Sequence, residues 1–308
     1  MDIAKGIFYS ILAVSFIASM NACAKLLAPY LSPFEITFWR GGVAVVFLVL
    51  GVLLFKKASF LKTKNLKAQF LRAFVGTVTM TLNMWAIMLL PLSTVSAIRL
   101  SAPLLVLLLS WPLLGEKVGV RRMAAAMFGF LGAGIIINPL SLWGEPLPTK
   151  GLLVTLAFVF GTACVDLILR WIGNKQKEAS LTTAFYFLSL SALFTLPWGL
   201  GMPTTPLVDL FTNAYSFWLL LVMGLLGALG MVLKSESFKL APVSVISPVA
   251  YSILLWSVFY DWLFWQHVPS ANVYVGAGVI ISANMFVVWR EKQLKKTNPP
   301  TVEEPIVA

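Results

Sequence analysis

The chain has 308 residues, of which 59% are hydrophobic and 11% are charged. Soluble domains carry about 25% charged residues, so this composition excludes an ordinary soluble protein. The formal net charge of +11 would suit a nucleic-acid-binding protein, but the basic residues fall in short segments between apolar runs, as in membrane proteins. The apolar runs are continuous rather than alternating, which argues against a β-barrel. Composition therefore predicts an all-α polytopic membrane protein.

In chain order, the apolar runs predict ten transmembrane helices, which we call spans 1 to 10. Short connections marked by Pro, Gly or charge separate them. Each run is about as long as the hydrocarbon core of a bilayer requires. The predicted spans cover residues 6–27, 34–54, 70–90, 92–114, 122–138, 150–171, 181–200, 215–234, 241–263 and 271–289.

Lys and Arg concentrate in every second connection. Five lysines lie between spans 2 and 3, and four basic residues follow span 10, whereas the connections 90–93 and 201–213 contain neither residue type. Basic loops remain on the cytoplasmic side, so both termini are predicted to be cytoplasmic and the protein to lie in the cytoplasmic membrane. The tail, residues 291–308, is predicted to be disordered.

The two halves of the chain share polar residues at a nearly constant shift. Spans 1 and 6 each carry a polar pair spaced i, i+4, on one helical face: Asn21 with Lys25, and Asp166 with Arg170. A shift of 148 relates polar positions of spans 4 and 9, namely Ser96, Arg99 and Pro103 with Ser244, Ser247 and Tyr251. Gly132 to Ile137 also resembles Gly276 to Ile281. Five spans per half predict two inverted repeats, residues 1–140 and 150–290, an arrangement typical of alternating-access transporters.

Span 4 is interpreted as one continuous helix with a polar stripe. Arg99 is its single charge between Leu92 and Gly115, and a guanidinium at that depth must face protein or water. No acidic residue lies three or four positions away to neutralise it. We therefore predict that Arg99 contacts substrate. Ser96 and Pro103 lie on the same helical face.

Five motifs occur in an order that resembles the EamA group of the drug/metabolite transporter superfamily. They are Lys25 near the end of span 1, Ser32-Pro33-Phe34-Glu35 with Arg40 in span 2, Asn83 to Ser93 at the end of span 3, Pro103 to Glu116 in span 4, and Ala241-Pro242 with Tyr251 to Trp256 in span 9. The resemblance covers essentially the whole chain. It implies ten helices in two inverted five-helix repeats around a central cavity, and secondary transport of a metabolite without ATP.

Polar side chains inside the spans provide the candidate site. The predicted substrate-binding residues are Asn21, Asn83, Ser96, Arg99, Ser247 and Tyr251, and the predicted coupling or gating residues are Lys25, Asp166 and Arg170. For Asp166, a proton relay and a salt bridge with Arg170 are equally open. Lys25 can equally extend to the membrane interface.

Other charges inside the spans have simpler interpretations. Arg40 is interpreted as the partner of Glu35, and Asp261 is expected to reach the interface. If Lys25, Arg40 and Arg99 share an outer vestibule, its positive potential would attract an anionic or zwitterionic substrate.

The predicted function is secondary active transport of a small polar, anionic or zwitterionic metabolite. Amino acids, nucleotide-like metabolites such as S-adenosylmethionine and riboflavin-like vitamins remain open. An integral-membrane enzyme would need clustered His, Asp or Glu, and the chain has one His; a receptor or scaffold would not need inverted repeats. The expected partners are the lipid bilayer, a small-molecule substrate and protons or a counter-substrate. The chain is expected to be a monomer or homodimer without cofactor, metal or nucleic acid.

Overall fold

The computed structural model describes residues 3–55, 63, 65–114, 120–138, 146–172, 180–201, 213–240, 246 and 249–297. All regular structure in these residues is helical. The α-helices, numbered in chain order, are α1 Ile3–Leu26, α2 Pro33–Phe55, α3 Leu66–Leu89, α4 Leu92–Arg99, α5 Ala102–Leu114, α6 Val120–Ile137, α7 Thr149–Trp171, α8 Ser180–Leu196, α9 Ala214–Leu240, α10 Ile253–Trp265 and α11 Ala271–Thr297. A π-helical turn, Pro197–Gly201, follows α8, and a 3-10 turn, Ala250–Ser252, precedes α10.

Eight helical segments of the described chain are long and apolar enough to cross a membrane, and Met123–Ile137 in α6 is a shorter apolar helix. Large apolar side chains cover much of the outer surface; Phe8, Phe128 and Leu255, for example, are exposed. Such a surface is stable against lipid tails but not in water. The prediction of an all-α polytopic membrane protein is confirmed.

The helices pack closely because small residues face each other. α1 packs against α9, and a Cβ on Gly230 of α9 would lie 3.0 Å from Ile17 of α1. α6 packs against α11, where a Cβ on either Gly132 or Gly276 would collide with the carbonyl oxygen of the other. Glycines at such positions let two membrane helices approach until their backbones touch.

Span 4 is broken into α4 and α5 at Leu100 and Ser101, so the prediction of one continuous helix is wrong there. Pro103 has no N–H to bond the carbonyl group of Arg99 one turn earlier. The Leu104 N–H bonds the Ser101 carbonyl oxygen, at 3.0 Å. The Leu100 carbonyl oxygen instead accepts a hydrogen bond of 2.9 Å from Asn284 Nδ2 on α11. The break is stabilised by a residue 184 positions away.

Two helices continue beyond their predicted ends. α9 reaches Leu240 instead of residue 234, and α11 reaches Thr297 instead of residue 289. Residues 291–297 are helical, so the prediction that they are disordered is wrong. The Glu, Lys, Gln and Leu residues in this segment are good helix formers. Residues 298–308 of the predicted tail lie outside the described residues.

Candidate functional site

A cavity of about 390 Å³ lies among α1, α4, α5, α7, α9, α10 and α11. Its lining includes Ser10 in the first half of α1, Ser110 near the end of α5 and Asp166 near the end of α7. The cavity thus occupies the half of the bundle in which α1 begins. We call this half the amino-terminal side and the other half the opposite side.

Three charged side chains from three helices line this cavity. They are Arg99, the last residue of α4, Asp166 on α7 and Lys234 on α9. Both cations attract the Asp166 carboxylate electrostatically. Asp166 and Lys234 are exposed within the structure, whereas Arg99 is half-buried, and the centre of its guanidinium group lies 5.9 Å from the centre of the Phe158 ring. One negative and two positive charges give the cavity a net positive charge.

The helix break helps to determine where Arg99 lies. α4 ends at this residue, and Asn284, which lines the same cavity, bonds the carbonyl group of the next residue, Leu100. In transporters, discontinuous helices commonly provide the substrate site, because their ends carry unpaired polar groups that regular helices lack. Across the described residues, no group of three or more His, Cys, Asp or Glu side chains could hold a metal ion.

The structure brings some of the predicted site residues together. Arg99, Tyr251 and Asp166 all line the cavity. α4 of span 4 also packs against α10 of span 9, the two spans whose polar positions the shift of 148 relates. Ser247 lies outside the described residues, as does the side chain of Arg170.

Other predicted residues lie away from the cavity lining and bond each other. Asn83 Nδ2 lies 3.4 Å from Asn21 Oδ1, and both side chains are buried. Ser96 Oγ lies 2.7 Å from Ser257 Oγ, so Ser96 joins α4 to α10 instead of facing the cavity.

Lys25 lies on the opposite side of the bundle, in an ion pair. Its Nζ lies 3.8 Å from Asp261 Oδ1 and donates a hydrogen bond of 2.9 Å to the Leu90 carbonyl oxygen. The same ammonium group lies 4.8 Å from the centre of the Trp265 ring. Lys25 and Arg99 therefore do not share a vestibule.

Asp261 is fully buried, so the expectation that it reaches the interface is wrong. Its carboxylate accepts hydrogen bonds from the backbone N–H groups of Leu92 and Ser93, at 3.0 and 2.8 Å, and from the Ser93 hydroxyl, at 2.5 Å. These groups form the start of α4, where Pro91 has no side-chain cap to offer. A carboxylate from α10 therefore caps the positive end of α4.

Lys234 is the charged residue of the cavity lining that sequence reasoning missed. The predicted span 8 ends at this residue, which makes it a charge at the membrane boundary, but α9 continues to Leu240. A signal was available, because residues 232–240 contain no Gly or Pro to end a helix.

Comparison with known proteins finds a family that resembles the first part of the chain. Residues 4–138 match the EamA-like transporter family. One solved crystal structure aligns with 95% of this chain and 99% of its own, with a TM-score of 0.63 and 15% sequence identity. At that identity the alignment supports the fold alone.

Curated relatives align along most of the chain. An S-adenosylmethionine uptake transporter of Rickettsia bellii is 26% identical over 94% of both chains. A riboflavin transporter of Brucella anthropi is 26% identical over 85% of this chain and 90% of its own. A pseudopaline exporter, CntI, of Pseudomonas aeruginosa is 24% identical over 92% and 96%. The chain is therefore similar to the EamA-like transporter family over residues 4–138, and to these curated transporters along most of its length.

Proposed function

We propose that the protein is a secondary active transporter that moves a small metabolite with a carboxylate group, anionic or zwitterionic, through the cavity by alternating access. The observation that carries this proposal is the presence of Arg99, Asp166 and Lys234, from three helices, around one cavity. Charges inside membrane spans are costly, and they usually mark the path of a substrate or ion.

The charges define the chemistry of the substrate. A guanidinium group offers a planar fork of donors that matches a carboxylate or phosphate, so Arg99 is suited to bind an anionic group. Lys234 adds a second cation. Asp166 is suited to a substrate ammonium group or a proton. A zwitterion can satisfy all three, and about 390 Å³ lies within the range of small-molecule pockets, roughly 300–1,000 Å³.

Helix contacts support the proposal that residues 1–140 and 150–290 are inverted repeats. If α1 is equivalent to α7, α3 to α9 and α2 to α8, then the contact of α1 with α9 is the counterpart of that between α7 and α3. The contact of α2 with α9 likewise corresponds to that between α8 and α3. Paired contacts of this kind are expected from a pseudo-two-fold axis in the membrane plane.

The opposite side of the bundle is closed by bonds of α10, which suggests where a second opening forms. α10 bonds α4 through Ser257 and α1 through Tyr260, whose hydroxyl lies 2.6 Å from Ser19 Oγ. Asp261 adds the bonds to the start of α4 and the ion pair with Lys25. Alternating access requires this side to open while the amino-terminal side closes.

The proposed orientation has both termini in the cytoplasm, so that the cavity is on the cytoplasmic half. It rests on the distribution of Lys and Arg between the spans. Cysteines at Lys62 and Thr204, both outside the described residues, test it by labelling in intact cells. We expect an impermeant reagent to label only the Thr204→Cys variant, and labelling at both positions would contradict the orientation.

Counterflow in proteoliposomes tests the function. The protein is reconstituted with one unlabelled metabolite inside, and uptake of the same radiolabelled metabolite is measured. The panel contains amino acids, S-adenosylmethionine, riboflavin and pseudopaline, the last three because relatives are named for them. Counterflow of a carboxylate-bearing compound, and its loss in Arg99→Ala, is expected. Counterflow of riboflavin alone would contradict the proposed substrate class, and chemical conversion of a compound without transport would indicate an enzyme.

A further inference from the structure

Two buried arginines lie outside the cavity lining, where α2, α3 and α8 meet. Arg40 of α2 is 2% exposed and Arg72 of α3 is 7% exposed. Both guanidinium groups lie over the ring of Phe187 on α8, with their centres 5.8 and 4.3 Å from the ring centre. We call this group of three residues the arginine seam.

The guanidinium groups of the seam lack hydrogen-bond acceptors. Nε and Nη2 of Arg40, and Nε and Nη1 of Arg72, are buried and have no hydrogen-bond partner in the described structure. Nη1 of Arg40 reaches only the sulfur atom of Met20, at 3.9 Å, which is a weak acceptor. A buried charged donor without an acceptor is strongly destabilising, so an unmet group of this kind indicates a missing partner.

The charges of the seam are also poorly neutralised. Arg40 is almost fully removed from solvent, and the nearby Arg72 repels it. Asp166 attracts Arg72 from the cavity, but it makes no hydrogen bond with Nε or Nη1 of that residue. Water could accept the hydrogen bonds but could not neutralise two cations. A bound anion would do both.

Other polar side chains lie one helical turn from residues of the seam. Ser191 lies one turn after Phe187 on the same face of α8, and its buried hydroxyl has no hydrogen-bond partner. On α3, Gln69 lies one turn before Arg72, and its Nε2 donates to Thr183 Oγ1 at 3.3 Å. The Ser191 hydroxyl can donate to an anion, which adds a neutral donor to the two cations.

We propose that the arginine seam binds a small inorganic anion, of the chloride or phosphate class, between Arg40 and Arg72. The anion neutralises the repulsion of the two guanidinium groups and holds α2, α3 and α8 together. This site is separate from the transport cavity, and the proposal does not depend on the transport function.

Thermal unfolding of the purified protein tests this inference. The Tm of the protein is first measured in gluconate, a larger organic anion. Gluconate is then replaced by chloride or by phosphate at constant ionic strength. A ligand that binds only the folded protein raises the Tm in a saturable manner. We expect one of the two anions to raise the wild-type Tm by several degrees, and the response to one or the other identifies the anion. If neither anion raises it above the value in gluconate, the proposal is wrong.

Three variants locate the anion. Arg72→Met should lose the anion-dependent rise, while Lys67→Gln, which removes an exposed cation from the same helix, should keep it. Arg99→Gln should also keep it, because that residue belongs to the cavity. A rise that survives in Arg72→Met but disappears in Arg99→Gln would overturn the proposal. If Arg72→Met does not fold, the same measurement is made on Ser191→Ala. We expect that variant to need a higher anion concentration than the wild type for the same rise in Tm.

Discussion

The two ends of α10 differ in how their polar groups are satisfied. On the opposite side, Ser257, Tyr260 and Asp261 are bonded to α1 and α4, and the Asp261 carboxylate is paired with Lys25. On the amino-terminal side, Tyr251 lies in the 3-10 turn that precedes α10 and faces a cavity in which two cations accompany one carboxylate. The closed side therefore supplies its own partners, whereas the cavity side has one cation more than its carboxylate neutralises.

This difference suggests how one side could exchange with the other. Buried hydrogen bonds and ion pairs are stable only while every member is satisfied. A substrate that bonds Arg99, Asp166 and Lys234 would give every charge on the cavity side a partner, as the charges on the opposite side have now. The free energy lost when the bonds on the opposite side break would then be offset by the free energy gained when the cavity side closes around the substrate.

The largest expected effect comes from removing the carboxylate of the closed side. Asp261→Ala leaves the half-buried Lys25 without its counter-ion and the start of α4 without its cap. Breaking a buried ion pair by removing one partner typically costs about 3–5 kcal/mol. We expect the opposite side to open, so that a maleimide reagent labels Cys23, which is buried in α1, in nanodiscs with Cys164 replaced by Ser.

Asp261→Asn serves as the control for this prediction, because it keeps the size and one acceptor of the side chain. Its labelling rate should lie between those of the wild type and Asp261→Ala. Cys23 as protected in Asp261→Ala as in the wild type would show that the carboxylate does not hold this side closed.

The second effect concerns the cavity. Arg99→Ala removes the proposed donor fork for the substrate, and a charge-assisted hydrogen bond is worth about 1.5–3 kcal/mol. We expect the affinity for the counterflow substrate to fall by roughly tenfold to a hundredfold. Arg99→Lys keeps the charge without the fork, so a smaller loss is expected from it.

Binding measured by calorimetry checks this prediction. Lys67→Gln, with the same loss of one charge on an exposed surface, should bind as the wild type does. Wild-type affinity in both Arg99 variants would place the substrate elsewhere.

The third effect concerns coupling. If Asp166 carries the proton, Asp166→Asn should abolish uptake driven by a pH gradient, because an amide does not titrate at these pH values. Exchange of internal for external substrate needs no net proton movement, so it should be partly retained. Uptake that still follows the pH gradient in this variant would reduce Asp166 to a substrate ligand or an ion-pair partner.

The smallest effect is expected from the hydroxyl pair. Ser257→Ala removes one hydrogen bond between α10 and α4, and such bonds between membrane helices are worth about 0.6 kcal/mol. Labelling of Cys23 should rise by about threefold at most, well below its rise in Asp261→Ala. A rise as large as that in Asp261→Ala would make the hydroxyl pair, rather than the ion pair, the main closure.

The membrane helices could be predicted from sequence because the bilayer imposes a strong local rule, namely a long apolar run for each span. Arg99 could be predicted as a cavity residue for the same reason, since a charge in such a run has few places to go. The cap of α4 by Asp261 could not, because the two lie 168 positions apart along the chain. Pro103 marks the break after Arg99 locally, but no local pattern identifies Asn284 as the residue that bonds the freed Leu100 carbonyl group.

Lys234 shows a different limit. The end of the apolar run predicts that Lys234 lies at the membrane boundary. A helix, however, continues into polar residues as long as its backbone groups stay hydrogen-bonded. The depth of a charge near the end of a span therefore depends on how the neighbouring helices pack, and this information is not local.

The most direct test of the account is whether substrate at the cavity changes the closed side. Labelling of Cys23 is measured in the Cys164→Ser protein in nanodiscs, with and without the counterflow substrate, and again with Arg99→Ala added. We predict that saturating substrate changes the labelling rate, and that Arg99→Ala removes this response. An identical rate with and without substrate, in a protein that still performs counterflow, would contradict the coupling between the cavity and the closed side of α10.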